Sequence, residues 1–277
     1  MRTLGSPFGR LVLLLPPLAA AGRVLVGSAV TRAGRAGEIA RAAALGGEAA
    51  GVEASANAYP AFAEGLAVGV GIAAFLILVH GALSIAGERE AGTLRSALVR
   101  GVSRGGLVLG KAAFGALLVL AALPGVALAS LLAAAIPYEY GPVTEQGYVI
   151  YPVSTIHLET LRGIGAAALA LLATHAFGLF VSSIARAPGG AVAAALFLFL
   201  VFDAAKGLLG GASEWVFATF VPSITDRSYL GEVVGIARGF SDAGFETDTW
   251  TRSLLVPPVQ ALLLVLAAIV TTLRRDA

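Results

Sequence analysis

Four stretches of this sequence contain no Asp, Glu, Lys or Arg; they lie between Glu64 and Glu88, Lys111 and Glu139, Arg162 and Arg186, and Arg252 and Arg274. Each exceeds the about 20 apolar residues that carry a helix across a bilayer. A water-facing domain cannot leave such lengths uncharged, because charge has to cover its surface. Composition agrees: 57% of the 277 residues are hydrophobic and 13% charged, with a mean hydropathy of +0.86. Soluble domains carry about twice that share of charge. Lipid is therefore the solvent this chain is built for.

Backbone polar groups must be satisfied inside hydrocarbon, so the spans are expected to be helices and the fold all-α. Six are expected, at about 11–30, 65–86, 112–136, 163–185, 187–210 and 254–273. The first is interrupted by Arg23 and should be kinked by Pro16 and Pro17. It also has a rival reading as a cleaved signal peptide, with Ala19, Ala20 and Ala21 as a small-residue cleavage site. The apolar run resumes beyond Arg23, and an even number of spans suits the charge distribution better. The fifth carries Asp203 and Lys206 in its second half.

Orientation follows from Lys and Arg. With the amino terminus inside, the short inner segments hold Arg2, Arg10, Arg89, Arg95, Arg100, Arg104, Lys111, Arg186, Arg274 and Arg275 against Glu88, Glu90 and Asp276. The longer outer segments hold more acids than bases. Both termini are thus expected in the cytoplasm, in a multi-pass protein of the plasma (inner) membrane. Of the outer segments, 31–59 reads as a short helix or loose loop, and 138–161, rich in Tyr, as an interfacial loop. Residues 212–253 read as one or two amphipathic helices lying on the outer surface.

The loop between spans two and three, residues 87–111, is amphipathic at helical spacing. Ala91, Leu94 and Leu98 share one side; Arg89, Thr93, Ser96 and Arg100 share another. By composition alone it is a basic loop that enforces topology. Its residues carry more: Glu88, Glu90, Gly92, Thr93 and Leu94, then Val102, Ser103 and Arg104, then Gly110 and Lys111, resemble the type-2 ABC transporter permease family. The resemblance covers essentially the whole chain, since the family also has six spans and short inner loops. It departs at Gly101, where members usually carry Pro, and in a shorter amino-terminal segment.

The resemblance implies a permease domain over 1–277 whose inner loop is a coupling helix seated in a separate ATPase subunit, itself dimeric. It implies outward transport, with the chain no enzyme and needing no cofactor. A helix over 88–100 is expected, with Arg89 and Arg100 toward the ATPase and Leu94 and Leu98 toward the bundle; Glu88, Glu90, Gly92, Thr93, Arg95 and Arg104 complete the coupling set. Six spans enclose little pathway, so a second permease copy, identical or homologous, is expected, with membrane lipid around both. Gly65 and Gly69 allow close helix approach. Few buried charges favour a lipid-like or amphipathic cargo.

Other signals are weaker. Gly105 to Lys111 has the spacing of a phosphate-binding loop, but Ala112 stands where Ser or Thr would hold magnesium and no strand precedes it. Asp203 and Lys206, at i and i+3, can neutralise each other inside the span or snorkel at its outer end. His80 and His175 read as packing hydrogen-bonders in the inner halves of their spans. No metal-ligand spacing occurs, cysteine is absent, and the basic residues are too scattered for nucleic acid. Two other classes compete: an anchor or assembly factor that recruits a soluble partner through the inner loop, and an ion-driven carrier, which needs more buried charge. The topology is directly testable. Reporter fusions at Ala277 should read cytoplasmic and fusions near Gly46 external; an external signal at Ala277 would refute the charge argument.

Overall fold

The computed structural model describes residues 7–44, 57–93, 99, 101–145, 148–223, 226–239 and 247–274. It is an all-α bundle with six helices long and apolar enough to cross a membrane: α1 (Pro7–Ala44), α2 (Ala58–Glu90), α3 (Arg104–Ala135), α4 (Val153–Ile184), α5 (Pro188–Ala205) and α7 (Thr247–Arg274). A helix of nine residues, α6 (Tyr229–Ala237), and two 3-10 turns, Gly210–Trp215 and Phe217–Phe220, lie between α5 and α7. A small hairpin, β1 (Val143–Glu145) with β2 (Tyr148–Tyr151), precedes α4.

The bundle is organised around α2 and α4, which cross with backbone against backbone. A Cβ on Gly81 would stand 2.6 Å from the His175 carbonyl oxygen, and one on Gly178 would stand 2.5 Å from that of Leu78. Around this crossing Leu78, Ala82, Ala170, Leu171 and Leu179 are fully buried. α1 and α3 cover the other face of α2, α5 packs on α2 through Phe75 and Phe199, and α7 packs along α4. Gly65 and Gly69 serve this packing within the chain, facing Ala20, Val24, Val126 and Ser130. α1 passes unbroken through Pro16 and Pro17.

The outer segments differ from expectation. Residues 31–44 continue α1 as one helix, because no Pro or Gly cluster stops it after Val30. The Tyr-rich segment contains the hairpin and the first turns of α4, and is tied to α2 where Asn57 donates to the Gly141 and Pro142 carbonyls. The reading of 212–253 as surface helices is corrected. Phe217, Ala218, Thr219, Phe220 and Val221 are buried, with Phe217 packed on Phe177 and Phe199. The Pro222 carbonyl oxygen would be 3.2 Å from a Cβ on Gly71. Gly71 lies about 10 Å along α2 from Glu64, inside the charge-free stretch. The chain after α5 therefore dips into the bundle. α5 has room for this because its 18 residues reach only about 27 Å, short of the about 30 Å hydrocarbon core.

α6 then packs on α4 and α2 by Leu230, Val233 and Ile236 rather than lying on a surface. Tyr229 donates to Glu159, and Arg162 sits over the Trp250 ring at 5.7 Å. Burial, then the Glu159 hydrogen bond, pushes the Tyr229 phenol well above its ordinary range, so it stays a donor. The central crossing yields a prediction. Gly178→Ala should cost about 1–3 kcal/mol by overpacking and lower the melting midpoint in detergent, whereas Gly22→Ala, with open space beside it, should change little. Equal midpoints for the two variants would contradict the backbone contact.

Candidate functional site

Of the residues singled out between spans two and three, those among the described residues lie at the end of α2 and the start of α3. Glu88, Arg89 and Glu90 form the last turn of α2. The Ala91 N–H donates to the Gly87 carbonyl, and Gly92 takes a φ of 69°, the left-handed conformation that ends helices at glycine. Thr93 closes the end by donating its hydroxyl to the Glu88 carbonyl at 3.2 Å. The expected helix over 88–100 is corrected at its start: Glu88 to Glu90 belong to α2, and the chain turns at Gly92. Leu94, Arg95, Leu98 and Arg100 lie outside the described residues. Gly101 has a φ of 82°, which the ring of a proline forbids, so this loop turns differently from one bearing proline there. Ser103 then caps α3, its Oγ accepting from the Gly106 N–H at 3.0 Å.

Each root of the loop is tied to a different neighbour. Lys111 of α3 pairs with Glu88 of α2. Arg89 donates to the Ala185 carbonyl at 2.5 Å, where α4 turns into α5. Arg104, the first residue of α3, donates to the Leu273 carbonyl of α7 at 3.2 Å. Ser182 of α4 accepts from the Ile85 and Ala86 N–H groups of α2 at 3.0 and 2.9 Å. The roots of the loop are thus bonded to α2, α3, α4 and α7 at one end of the bundle. Glu90 is exposed and free to face a partner.

Asp203 and Lys206 do pair, at 2.7 Å, but not in the manner of a side chain reaching for headgroups. Lys206 is 1% exposed. Its ammonium also donates to Ser223 Oγ at 3.1 Å and to the Val221 carbonyl at 3.4 Å, both on the inserted segment. Two hydrogen bonds and one ion pair thus surround the ammonium, which needs such partners once removed from water. On the other side Gln260 of α7 accepts from the Phe217 N–H at 2.8 Å and donates to the Trp215 carbonyl at 2.6 Å. The Val221 and Trp215 carbonyls and the Phe217 N–H are thereby satisfied by the side chains of Lys206 and Gln260.

Sequence reading took His80 and His175 singly and missed their meeting. His80 Nδ1 lies 3.3 Å from His175 Nε2, the rings stack at 5.5 Å, and Phe114 flanks His80 at 5.4 Å. Gly115 leaves the space that the His175 ring fills. The available signal was that each is the polar outlier in the inner half of its apolar run. Among the described residues no group of three or more His, Cys, Asp or Glu could hold a metal ion.

The charge pair carries a prediction. Asp203→Ala should strand a buried ammonium and lower folded yield by about 3–5 kcal/mol of stability. Adding Lys206→Met should recover part of that loss, whereas additive, near-neutral effects would show that the pair is not coupled.

Against this geometry, comparison with known proteins gives one match: the family described as ABC-2 family transporter protein, over residues 19–273. No curated protein and no solved structure matches the chain. The family match covers α2 to α5 whole, α1 from residue 19 onward, α7 to residue 273 and both roots of the inner loop. An integral, multi-pass membrane architecture, a bundle with a tied inner loop and this match lead to one conclusion: the chain belongs to the ABC-2 transporter family, the membrane components of ABC transporters.

Proposed function

We propose that this chain is the permease subunit through which a separate, dimeric ATPase drives a substrate outward across the plasma membrane, with the loop 91–103 as the ATPase docking element. Glu88, Arg89, Glu90, Gly92, Thr93, Leu94, Arg95, Leu98, Arg100 and Arg104 form its coupling set. Both termini and this loop face the cytoplasm, as the excess of Lys and Arg at that end requires. Two permease copies, identical or homologous, face one another in lipid and enclose the pathway. Scarce charge within the spans favours a lipid-like or amphipathic cargo. ATP is hydrolysed by the partner, and this chain converts a mechanical shift into a change of span packing.

One observation carries this reading: the loop is short, capped at both ends by Gly92 and Ser103, and bonded at its roots to α3, α4 and α7. Ordinary connecting loops tolerate displacement without consequence. Here a shift of the loop cannot be absorbed locally, because the Glu88–Lys111 pair and the two arginine–carbonyl bonds pass it to the helix ends. That is the mechanical property a coupling element needs.

The test is Gly92→Pro. Proline fixes φ near −65°, so it cannot adopt the 69° found here, and the left-handed conformation already costs ordinary residues about 1–2 kcal/mol. The variant should still insert, since it touches no span. It should lose the ATPase in a pull-down from its native membrane, and with it substrate-stimulated hydrolysis. Retention of both by the variant would refute the docking assignment, and an ATPase that never accompanies the wild type would favour an anchoring protein instead.

A further inference from the structure

At the opposite end of α2 from the coupling loop, Glu64 holds two arginines that sequence distance separates widely. Its Oε2 pairs with Arg23 of α1, while its Oε1 accepts from Arg238 Nε at 2.9 Å and Nη2 at 2.6 Å. Arg238 is the residue that caps α6. One carboxylate thus neutralises one of two guanidiniums, leaving a net charge of +1. No other carboxylate among the described residues lies within ion-pair distance of either arginine. Glu64 is mostly covered, at 19% exposed, but Arg23 and Arg238 remain 41% and 45% exposed.

The donors are similarly unspent. A guanidinium has five N–H groups in a planar fork suited to phosphate. Arg23 spends one and Arg238 two on Glu64. Gly27 lets the Arg23 guanidinium fold along α1 toward its Ala44 end, since a Cβ there would collide with Nη1. Toward the bilayer centre the surface of α1 is apolar and open: Leu15 is 42% and Leu11 43% exposed. An uncompensated charge beside surface that faces lipid is costly unless an anion completes it.

We propose that Arg23 and Arg238, aligned by Glu64, bind the phosphate of an anionic phospholipid whose acyl chains run toward the bilayer centre along Leu15 and Leu11 of α1. The shared chemistry is a phosphate anion facing two forked donors. The apolar flank distinguishes a lipid from the free ion, because inorganic phosphate has nothing to bury there. The assignment does not depend on the ATPase, the cargo or the direction of transport. It adds a lipid-dependent link from α1 through α2 to the end of α6.

The experiment titrates phosphatidylglycerol, and a neutral galactosyl diacylglycerol with the same acyl chains, onto the full-length protein in detergent, read by native mass spectrometry. The wild type should retain phosphatidylglycerol about tenfold more tightly than the neutral lipid, the scale of one charge-assisted contact. Arg23→Gln and Arg238→Gln should each weaken phosphatidylglycerol about tenfold and leave the neutral lipid unchanged. Arg32→Gln, whose guanidinium donates to the Pro137 carbonyl, should alter neither. Equal retention of the two lipids by the wild type overturns the proposal, and that comparison needs no variant to fold. Inorganic phosphate at millimolar concentration should leave the lipid in place; its displacement of the lipid would assign the site to the free anion and overturn the lipid.

Discussion

The crossing of α2 and α4 at Gly81 and Gly178 sets where everything else can go. In lipid there is little hydrophobic drive between helices, so close packing of small residues and interhelical hydrogen bonds hold a bundle together. Here the two backbones meet directly, and the polar side chains that would otherwise be stranded meet beside them. His80 faces His175 next to the contact, and Ser182 of α4 accepts from the backbone of α2 a turn further in. A larger residue at either glycine would separate the helices and undo these bonds as well as the van der Waals contact. The periphery, α1 and α3 on one side and α5 and α7 on the other, packs on a pair whose spacing is already set.

The inserted segment between α5 and α6 obeys the same rule from the opposite direction. Irregular backbone is tolerated at membrane depth only when protein covers and satisfies it. Lys206 supplies donors to the Val221 carbonyl and Ser223, Gln260 serves Phe217 and Trp215, and Thr219 donates to the Ser213 carbonyl at 2.6 Å. Asp203 in turn neutralises the ammonium that makes this possible. A buried ion pair gains little stability by itself, since desolvation opposes the Coulomb attraction. Its value here is positional: it determines where the segment sits between α2, α4, α5 and α7.

Much of this was legible from charge alone. Gaps free of Asp, Glu, Lys and Arg marked four of the six apolar helices because ionised groups are costly in hydrocarbon, and the Asp203–Lys206 pairing followed from i, i+3 spacing. What charge does not encode is the ends. α1 runs on to Ala44 because nothing after Val30 stops a helix, although residues 31–44 are too polar for the bilayer. The inserted turns were misread because Phe217 to Pro222 look the same whether an apolar face meets lipid or other helices. Glu64 with Arg23 and Arg238, Glu88 with Lys111, and His80 with His175 were invisible, since each pair joins helices whose register only tertiary packing decides. The start of the inner loop was missed for a local reason: periodicity continued through Gly92, while its positive φ ends the helix there.

These features together make α2 a single rigid member with a different charge device at each end. Glu88 and Arg89 join it at the inner end to α3 and to the α4–α5 turn, and Glu64 joins it at the other end to α1 and to the residue following α6. Between them, Gly81 fixes its contact with α4 and Gly71 receives the inserted segment. Its hydrogen-bond ladder runs unbroken by proline from Glu64 through Gly71 to Glu88, so these contacts share one continuous element. The inserted segment is the least regular element along that path, held by a few side-chain bonds instead of a continuous ladder. It is therefore where a tilt of α2 would first separate packed surfaces, and the Lys206 and Gln260 bonds set how large a tilt that requires.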